Sequence, residues 1–333
     1  SDLSDTPSTL LVLGAIYAAL KLPPKSWSVA IVAAIFALAC LTRLNNIFFA
    51  PAIGCALYFR HREALRSTGY PIRALLIGSG VYFGLIALQL YVNYRQFGSP
   101  FTFSYVLHYA GNAPGERPAD GFQWATVIKG SNLKFLAGSN FAIWTLGIAG
   151  LLLLKDRKQR IMLSLWAIPV ILFFFGYSHT FCDGQRFILS SYLPLFAAFA
   201  ALECWHEADR PERIAMTGFF VLTLLFTVPY QIEIPNLTPF GLGRSSGGAT
   251  WLEFCFYASR IGAALLLYYC WRIRRDRQAA YLVAIFAVLY FSAGAWVLAV
   301  LLTMILLRAL FDLGIEVKKN PPRQLAPARR EQE

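Results

Sequence analysis

The sequence predicts an all-α fold, a polytopic transmembrane bundle of about ten or eleven helices, and three observations carry that expectation. Apolar residues make up 57% of the 333-residue chain and charged ones only 14%, whereas a soluble domain carries about a quarter charged residues. The apolar residues come in continuous blocks, which excludes a β-barrel built from alternating segments of about ten residues. Backbone groups in hydrocarbon must be satisfied within the segment, so such blocks are helices. The basic residues fall in short bursts between the blocks, as orientation signals do.

In chain order the blocks run Pro7–Leu20, Trp27–Leu41, Ile47–Phe59, Ile72–Val92, Phe141–Leu154, Ile161–Tyr177, Ile188–Leu202, Ile214–Tyr230, Leu252–Trp271 and Ala279–Phe311. The last would be about 50 Å long as one helix, so it is divided near Gly294 into two spans. The connectors Lys21–Lys25, Arg60–Arg73, Lys155–Arg160, Arg210–Arg213 and Arg272–Arg277, and the tail from Asp312, are the basic ones. They occupy every second connector, which assigns that side to the cytoplasm. Eleven spans then leave the N-terminus outside and the C-terminus cytoplasmic. A single helical domain is expected over residues 1–311, with external loops at about 42–46, 93–140, 178–187 and 231–251. A disordered, basic, Pro-rich tail is expected over 312–333.

A net charge of +12 raises nucleic acid as a partner. No basic surface interleaved with aromatics exists outside the spans, so that partner is excluded. The six cysteines show no CxxC or metal spacing, and Cys40, Cys55, Cys255 and Cys270 fall in or beside apolar blocks, where cysteine acts as a small hydrophobe. There is no Ser-His-Asp set, Walker loop or dinucleotide fingerprint.

The candidate residues are on the external side. Arg43, in Leu-Thr-Arg-Leu-Asn-Asn, sits where orientation does not favour arginine. A guanidinium there suits an anionic partner such as phosphate; the bland alternative is a side chain snorkelling from a helix end. Arg186 follows His179 and Asp183 in Ser-His-Thr-Phe-Cys-Asp-Gly-Gln-Arg-Phe, where a local Asp183–Arg186 pair is the competing explanation. His179, Cys182 and Asp183 lack a second ligand set, so no metal site is assigned. In the long loop, Tyr105 and His108 can line a sugar pocket or anchor at headgroup level. Arg244 lies in a glycine-rich loop and Arg260 within an apolar block.

Four stretches carry a resemblance to a known family. Ser1-Asp-Leu-Ser-Asp-Thr-Pro-Ser-Thr-Leu leads into a hydrophobic helix, and Ala39-Cys-Leu-Thr-Arg-Leu-Asn-Asn links two helices. Asn93-Tyr-Arg-Gln-Phe-Gly-Ser-Pro-Phe opens the long loop, and Gln185-Arg-Phe-Ile-Leu-Ser-Ser-Tyr-Leu-Pro starts a later helix. Together they resemble the polytopic glycosyltransferases of the GT-C class, the family 39 group related to protein O-mannosyltransferases and the aminoarabinose transferase. The resemblance implies transfer of a sugar from a polyprenyl-phosphate donor to an acceptor outside the cytoplasm. Arg43 and Arg186 would hold the lipid phosphate, and Tyr105, His108, His179 and Asp183 would line the substrate pocket. It also implies a catalytic carboxylate in a first external loop. No counterpart is visible here, so the chain is expected to be a piece of a longer protein and the catalytic residue is unassigned. Some relatives need a divalent metal, for which no ligand set is seen.

A transporter or lipid flippase, a polysaccharide polymerase or ligase, and a noncatalytic scaffold are the competing readings. A transporter calls for repeated broken helices and polar sites at the midplane, which are not evident. The lack of a eukaryotic sorting signal and of a large lumenal module points to a bacterial inner membrane. Sugar, acceptor and oligomeric state are not encoded legibly.

Overall fold

The computed structural model describes residues 5–67, 69–100, 124–129, 141–176, 189–202, 204–231, 246–274 and 295–319. Among the described residues there is no strand, and the fold is all-α. The chain divides into two compact units, residues 1–120 with 309–333, and residues 121–308, a division that hydropathy alone does not mark.

The first unit contains α1 (Asp5–Lys21), α2 (Ser26–Thr42), a 3-10 turn (Leu44–Phe49), α3 (Ala50–His61), a second 3-10 turn (Ala64–Arg66) and α4 (Tyr70–Phe97). Pro23 and Pro24 cannot continue α1, so the chain reverses there. Val12, Ala15 and Ala19 of α1, Val32, Phe36 and Ala39 of α2, and Ala52, Ile53 and Ala56 of α3 form its core. Small side chains let these helices approach closely. Glycines in the left-handed region bracket α4, Gly69 at φ 91° and Gly98 at φ 70°, because a β-carbon is disfavoured there.

Four contacts fix the helix directions. Asn46 bonds Ser8, and Arg60 bonds the Leu22 carbonyl, so α3 runs parallel to α1. Gly78 faces Val29, and the Tyr82 ring stacks on Phe36 with centroids 5.7 Å apart. The order rises together, so α4 runs parallel to α2. The four helices therefore alternate in direction, and Lys21, Lys25, Arg60 and Arg73 share one end while Arg43 sits at the other. The two ends are about 20 Å apart along α1.

The second unit contains α5 (Trp124–Lys129), α6 (Phe141–Leu153), α7 (Arg157–Phe175), α8 (Leu189–Ala200), α9 (Cys204–Glu207), α10 (Arg210–Gln231) and α11 (Ser246–Arg274). Its core joins Leu146 and Ala149 of α6, Phe199 of α8, Met216 of α10 and Ala263, Leu266 and Leu267 of α11. Asp156 caps α7 by accepting from Lys158 N at 2.9 Å and Gln159 N at 3.2 Å. Asp209 and Glu212 cap α10 reciprocally, Glu212 N donating at 2.8 Å and Asp209 N at 3.3 Å, a capping box. Gly147 faces Leu195 and Gly150 faces Phe199, so α6 and α8 are parallel. Arg272 lies 3.7 Å from Glu212, placing the end of α11 beside the start of α10. The connectors Lys155–Arg160 and Arg210–Arg213 and the end of α11 thus gather at one end of this unit too.

A last helix, α12 (Ala295–Lys319), begins just beyond Gly294, the position chosen to divide the final apolar block. It runs on past Phe311, so residues 312–319 are helical and not part of a disordered tail. Lys318 and Lys319 in its last turn complement the negative end of the helix dipole. Three loop boundaries also move. Residues 93–97 continue α4 until Gly98 stops it, residues 44–46 belong to the first 3-10 turn, and residues 246–251 belong to α11. Composition marks turn residues but not how far a capped helix frays. The short block Ile47–Phe59 is divided between the first 3-10 turn and α3. Among the described residues, two helices are long and apolar enough to cross a membrane, Tyr70–Phe97 and Arg157–Phe175.

The α6–α8 contact depends on a missing side chain. A β-carbon on Gly150 would meet the Ala198–Phe199 backbone, lying 2.5 Å from Ala198 C, whereas Gly54 in α3 has nothing within 4 Å. Gly150→Ala should destabilise the protein by about 1–3 kcal/mol through overpacking. Gly54→Ala should be neutral or stabilise by up to about 1 kcal/mol. Thermal unfolding in detergent checks both, and equal midpoints for the two variants would contradict the close approach.

Candidate functional site

The stretch Leu41-Thr-Arg-Leu-Asn-Asn46 forms a buried polar node at the end of α2. A helix leaves its last four carbonyls without partners inside the helix, and here one of them is satisfied three times. Ala39 O accepts from Thr42 Oγ1 at 2.7 Å, Asn46 Nδ2 at 2.6 Å and Arg43 N at 3.1 Å. Asn46 Nδ2 also donates to Ser8 Oγ at 2.7 Å. Ser8 and Asn46 are each 2% exposed, so these bonds lie in a low-dielectric setting where an unmade one is costly. The first two stretches that carry the resemblance therefore meet, although 38 residues separate Ser8 from Asn46.

Arg43 takes an extended conformation (φ −153°, ψ 120°) between α2 and the 3-10 turn. It is half-buried and engaged with other groups of the chain. Its backbone belongs to the node, since Asn46 N donates to Arg43 O at 3.1 Å.

The third stretch, Asn93 to Pro100, ends α4 on the same side of this unit as Arg43. Asn93 is buried, accepting from Gln89 Nε2 at 2.8 Å and donating to Pro100 O at 3.3 Å. Gly98 N closes the helix on Tyr94 O at 2.9 Å. The spacing of Asn, Phe-Gly and Pro is thus a helix stop that aims the chain into the long loop. Tyr94 and Arg95 are exposed, and Arg95 Nη1 donates to Tyr91 Oη at 3.2 Å, an arrangement suited to headgroup level.

Arg186, Tyr105, His108, His179, Asp183 and Arg244 lie outside the described residues. Arg43 belongs to the first unit, and the position of Arg186 falls in the second. Arg260 is half-buried on α11. Among the described residues, no group of three His, Cys, Asp or Glu side chains is arranged to hold a metal ion.

Two further pairs were not legible in the sequence. At the basic end of the first unit, His61 Nδ1 pairs with the Tyr70 hydroxyl. His61 is 2% exposed; burial, then the charge of Arg60, holds its pKa below the ordinary histidine value, so the ring is neutral. A Tyr nine residues beyond a His is the only sequence trace, hidden among arginines. In the second unit the buried thiols of Cys204 and Cys270 approach to 3.1 Å. Their separation of 66 residues carries no motif.

No family model matches the chain, and no curated protein or solved structure is significantly similar to it.

The node gives Asn46 a role that an isosteric acid cannot fill. Asn46→Asp replaces the donor to Ala39 O with a carboxylate, so it should cost about 1–3 kcal/mol or more. Thermal unfolding in detergent measures it, and a midpoint like that of the unaltered chain would mean the node does not hold α1 to α2.

Proposed function

We propose that the chain is a multi-pass protein of a bacterial inner membrane, and that it is a polyprenyl-phosphate-dependent glycosyltransferase of the GT-C kind or a portion of one. The observation that carries the membrane reading is the exterior of α4. Only 6% of its most apolar stretch is buried, against 61% for α7. A core helix would be mostly buried, and a signal sequence would lie near the N-terminus; α4 is neither. Ile72, Leu75, Leu76, Phe83 and Leu88 are each more than half exposed. Leaving that surface in water forgoes on the order of 10 kcal/mol, comparable with the whole stability of a domain. Lipid removes the penalty. Arg73 and Arg95 bracket an uncharged stretch from Ala74 to Tyr94, about 31 Å of helix, which matches the hydrocarbon thickness.

The alternating helices and the basic connectors gathered at one end of each unit support the multi-pass topology with a cytoplasmic C-terminus. The glycosyltransferase reading rests on the resemblance, and the structure supports it in one respect. Three of the four stretches that carry it reach the same end of the first unit, opposite the basic connectors. A lipid-linked sugar needs a lipid-facing surface for its tail and a cation for its phosphate. Arg43 stands at the external end, beside the exposed apolar face of α4's unit, and Arg186 is assigned the second cation. On the resemblance, each is assigned to binding lipid phosphate and stabilising its developing charge as the sugar leaves. No residue of this chain is assigned the carboxylate that deprotonates the acceptor.

The test is sugar transfer from a radiolabelled polyprenyl-phosphate sugar in membranes holding the full-length protein. Arg43→Ala and Arg186→Ala should each lower transfer roughly tenfold or more, with Arg43→Lys retaining part of it. Donor binding and transfer unchanged in both alanine variants would refute the assignment.

A further inference from the structure

The end of the first unit opposite Arg43 has a chemistry that the glycosyltransferase reading leaves unused. The hydrogen bond from Arg60 Nε to Leu22 O, 3.1 Å long, ties the α1–α2 turn to the α3–α4 connector. Segments 38 residues apart therefore form one surface. Lys21–Lys25 and Arg60–Arg73 hold six Lys and Arg against a single Glu63, a net charge of +5 with His61 neutral. Lys21, Lys25, Arg60 and Arg73 are exposed.

Aromatic side chains edge the same surface. Trp27 is 47% exposed two residues after Lys25, and Tyr17 is 65% exposed one turn before Lys21. Beyond them the exterior of α4 turns apolar at Ile72, Leu75 and Leu76. Apolar band, aromatic edge and cationic cap follow one another as hydrocarbon, headgroup and water do across one leaflet. An acidic protein partner would account for the cations but not for the adjoining apolar band.

We propose that Lys21, Lys25, Arg60 and Arg73, edged by Trp27, form a binding surface for the headgroups of anionic phospholipids in the cytoplasmic leaflet. The proposal rests on the membrane reading and adds a lipid class to it. The attraction is electrostatic and local, decaying over about 8 Å at physiological ionic strength, so it is sensitive to salt. Each cation near an anionic surface contributes a several-fold gain. Arg60 has a second duty through Leu22 O, so the variant used leaves it in place.

The experiment compares short-chain phosphatidylglycerol with phosphatidylcholine, titrated onto the detergent-solubilised full chain and read by Trp fluorescence and native mass spectrometry. The unaltered chain should bind phosphatidylglycerol preferentially. The triple variant Lys21→Gln/Lys25→Gln/Arg73→Gln should lose roughly tenfold or more of that affinity, as should the unaltered chain in high salt. Arg95→Gln, at the opposite end, should bind as the unaltered chain does. Equal binding of the two lipids, a triple variant that binds phosphatidylglycerol like the unaltered chain, or capture of an acidic protein in place of lipid would overturn the proposal. Alkaline carbonate extraction of membranes separates the two levels. A chain released by carbonate refutes the membrane reading itself, while a chain retained without phosphatidylglycerol preference refutes only the lipid surface.

Discussion

A helix that turns its large aliphatic side chains outward is stable only in surroundings that are themselves apolar. That constraint, set by α4, organises what the rest of the first unit must do. Its inward face offers only Ala74, Gly78 and, near the far end, Asn93 as buried residues, and Gly78 brings the helix against Val29 of α2. Tyr82 stacks on Phe36 of α2, but the large aliphatic side chains Ile72, Leu75, Leu76 and Leu88 point elsewhere. In water such a surface would compete with folding; in hydrocarbon it costs nothing, and the helices must then find other reasons to stay together.

Those reasons are close packing and buried polar bonds. In the second unit, Gly147, Gly150 and Gly262 open the space in which α6 meets α8 and α11 meets α10. In the first, the Ser8–Asn46–Ala39 node fastens α1 to the end of α2 and orients the turn into α3. Placing Arg43 within this node has a consequence for function. Its backbone is fixed by the same bonds that hold the helices, so the point from which its guanidinium reaches out is defined. The basic ends play a separate part, collecting the cations of each unit at one end.

Much of the fold could be read from the residues. Where described, the apolar blocks are helices, and Pro23-Pro24 marks the stop of the first; residues 279–294 of the last block lie outside the described residues. The division near Gly294 coincides with the start of α12. Harder to read were features set by local capping or by contacts distant in sequence. α4 extends through Phe97, where Asn93 bonds the Pro100 carbonyl, and the residues after Phe311 stay helical with charged side chains. The division into two units leaves no mark in composition. At the candidate site, the motif around Arg43 was visible but its meaning was only half so. Its place on the side where arginine is not favoured singled out Arg43, whereas the structure shows that Asn46 and Thr42 make the architecture, with Ser8 as a partner no local pattern identifies.

The direct test of the account is whether the two ends of α4 lie on opposite sides of the membrane. Reporter fusions after Ser67 and after Ser99, each made with green fluorescent protein and with alkaline phosphatase in bacterial cells, measure it. Fluorescence from the fusion after Ser67 and phosphatase activity from the fusion after Ser99 are expected. The same reporter active at both positions would show that α4 does not cross, and the account built on its apolar exterior would fail.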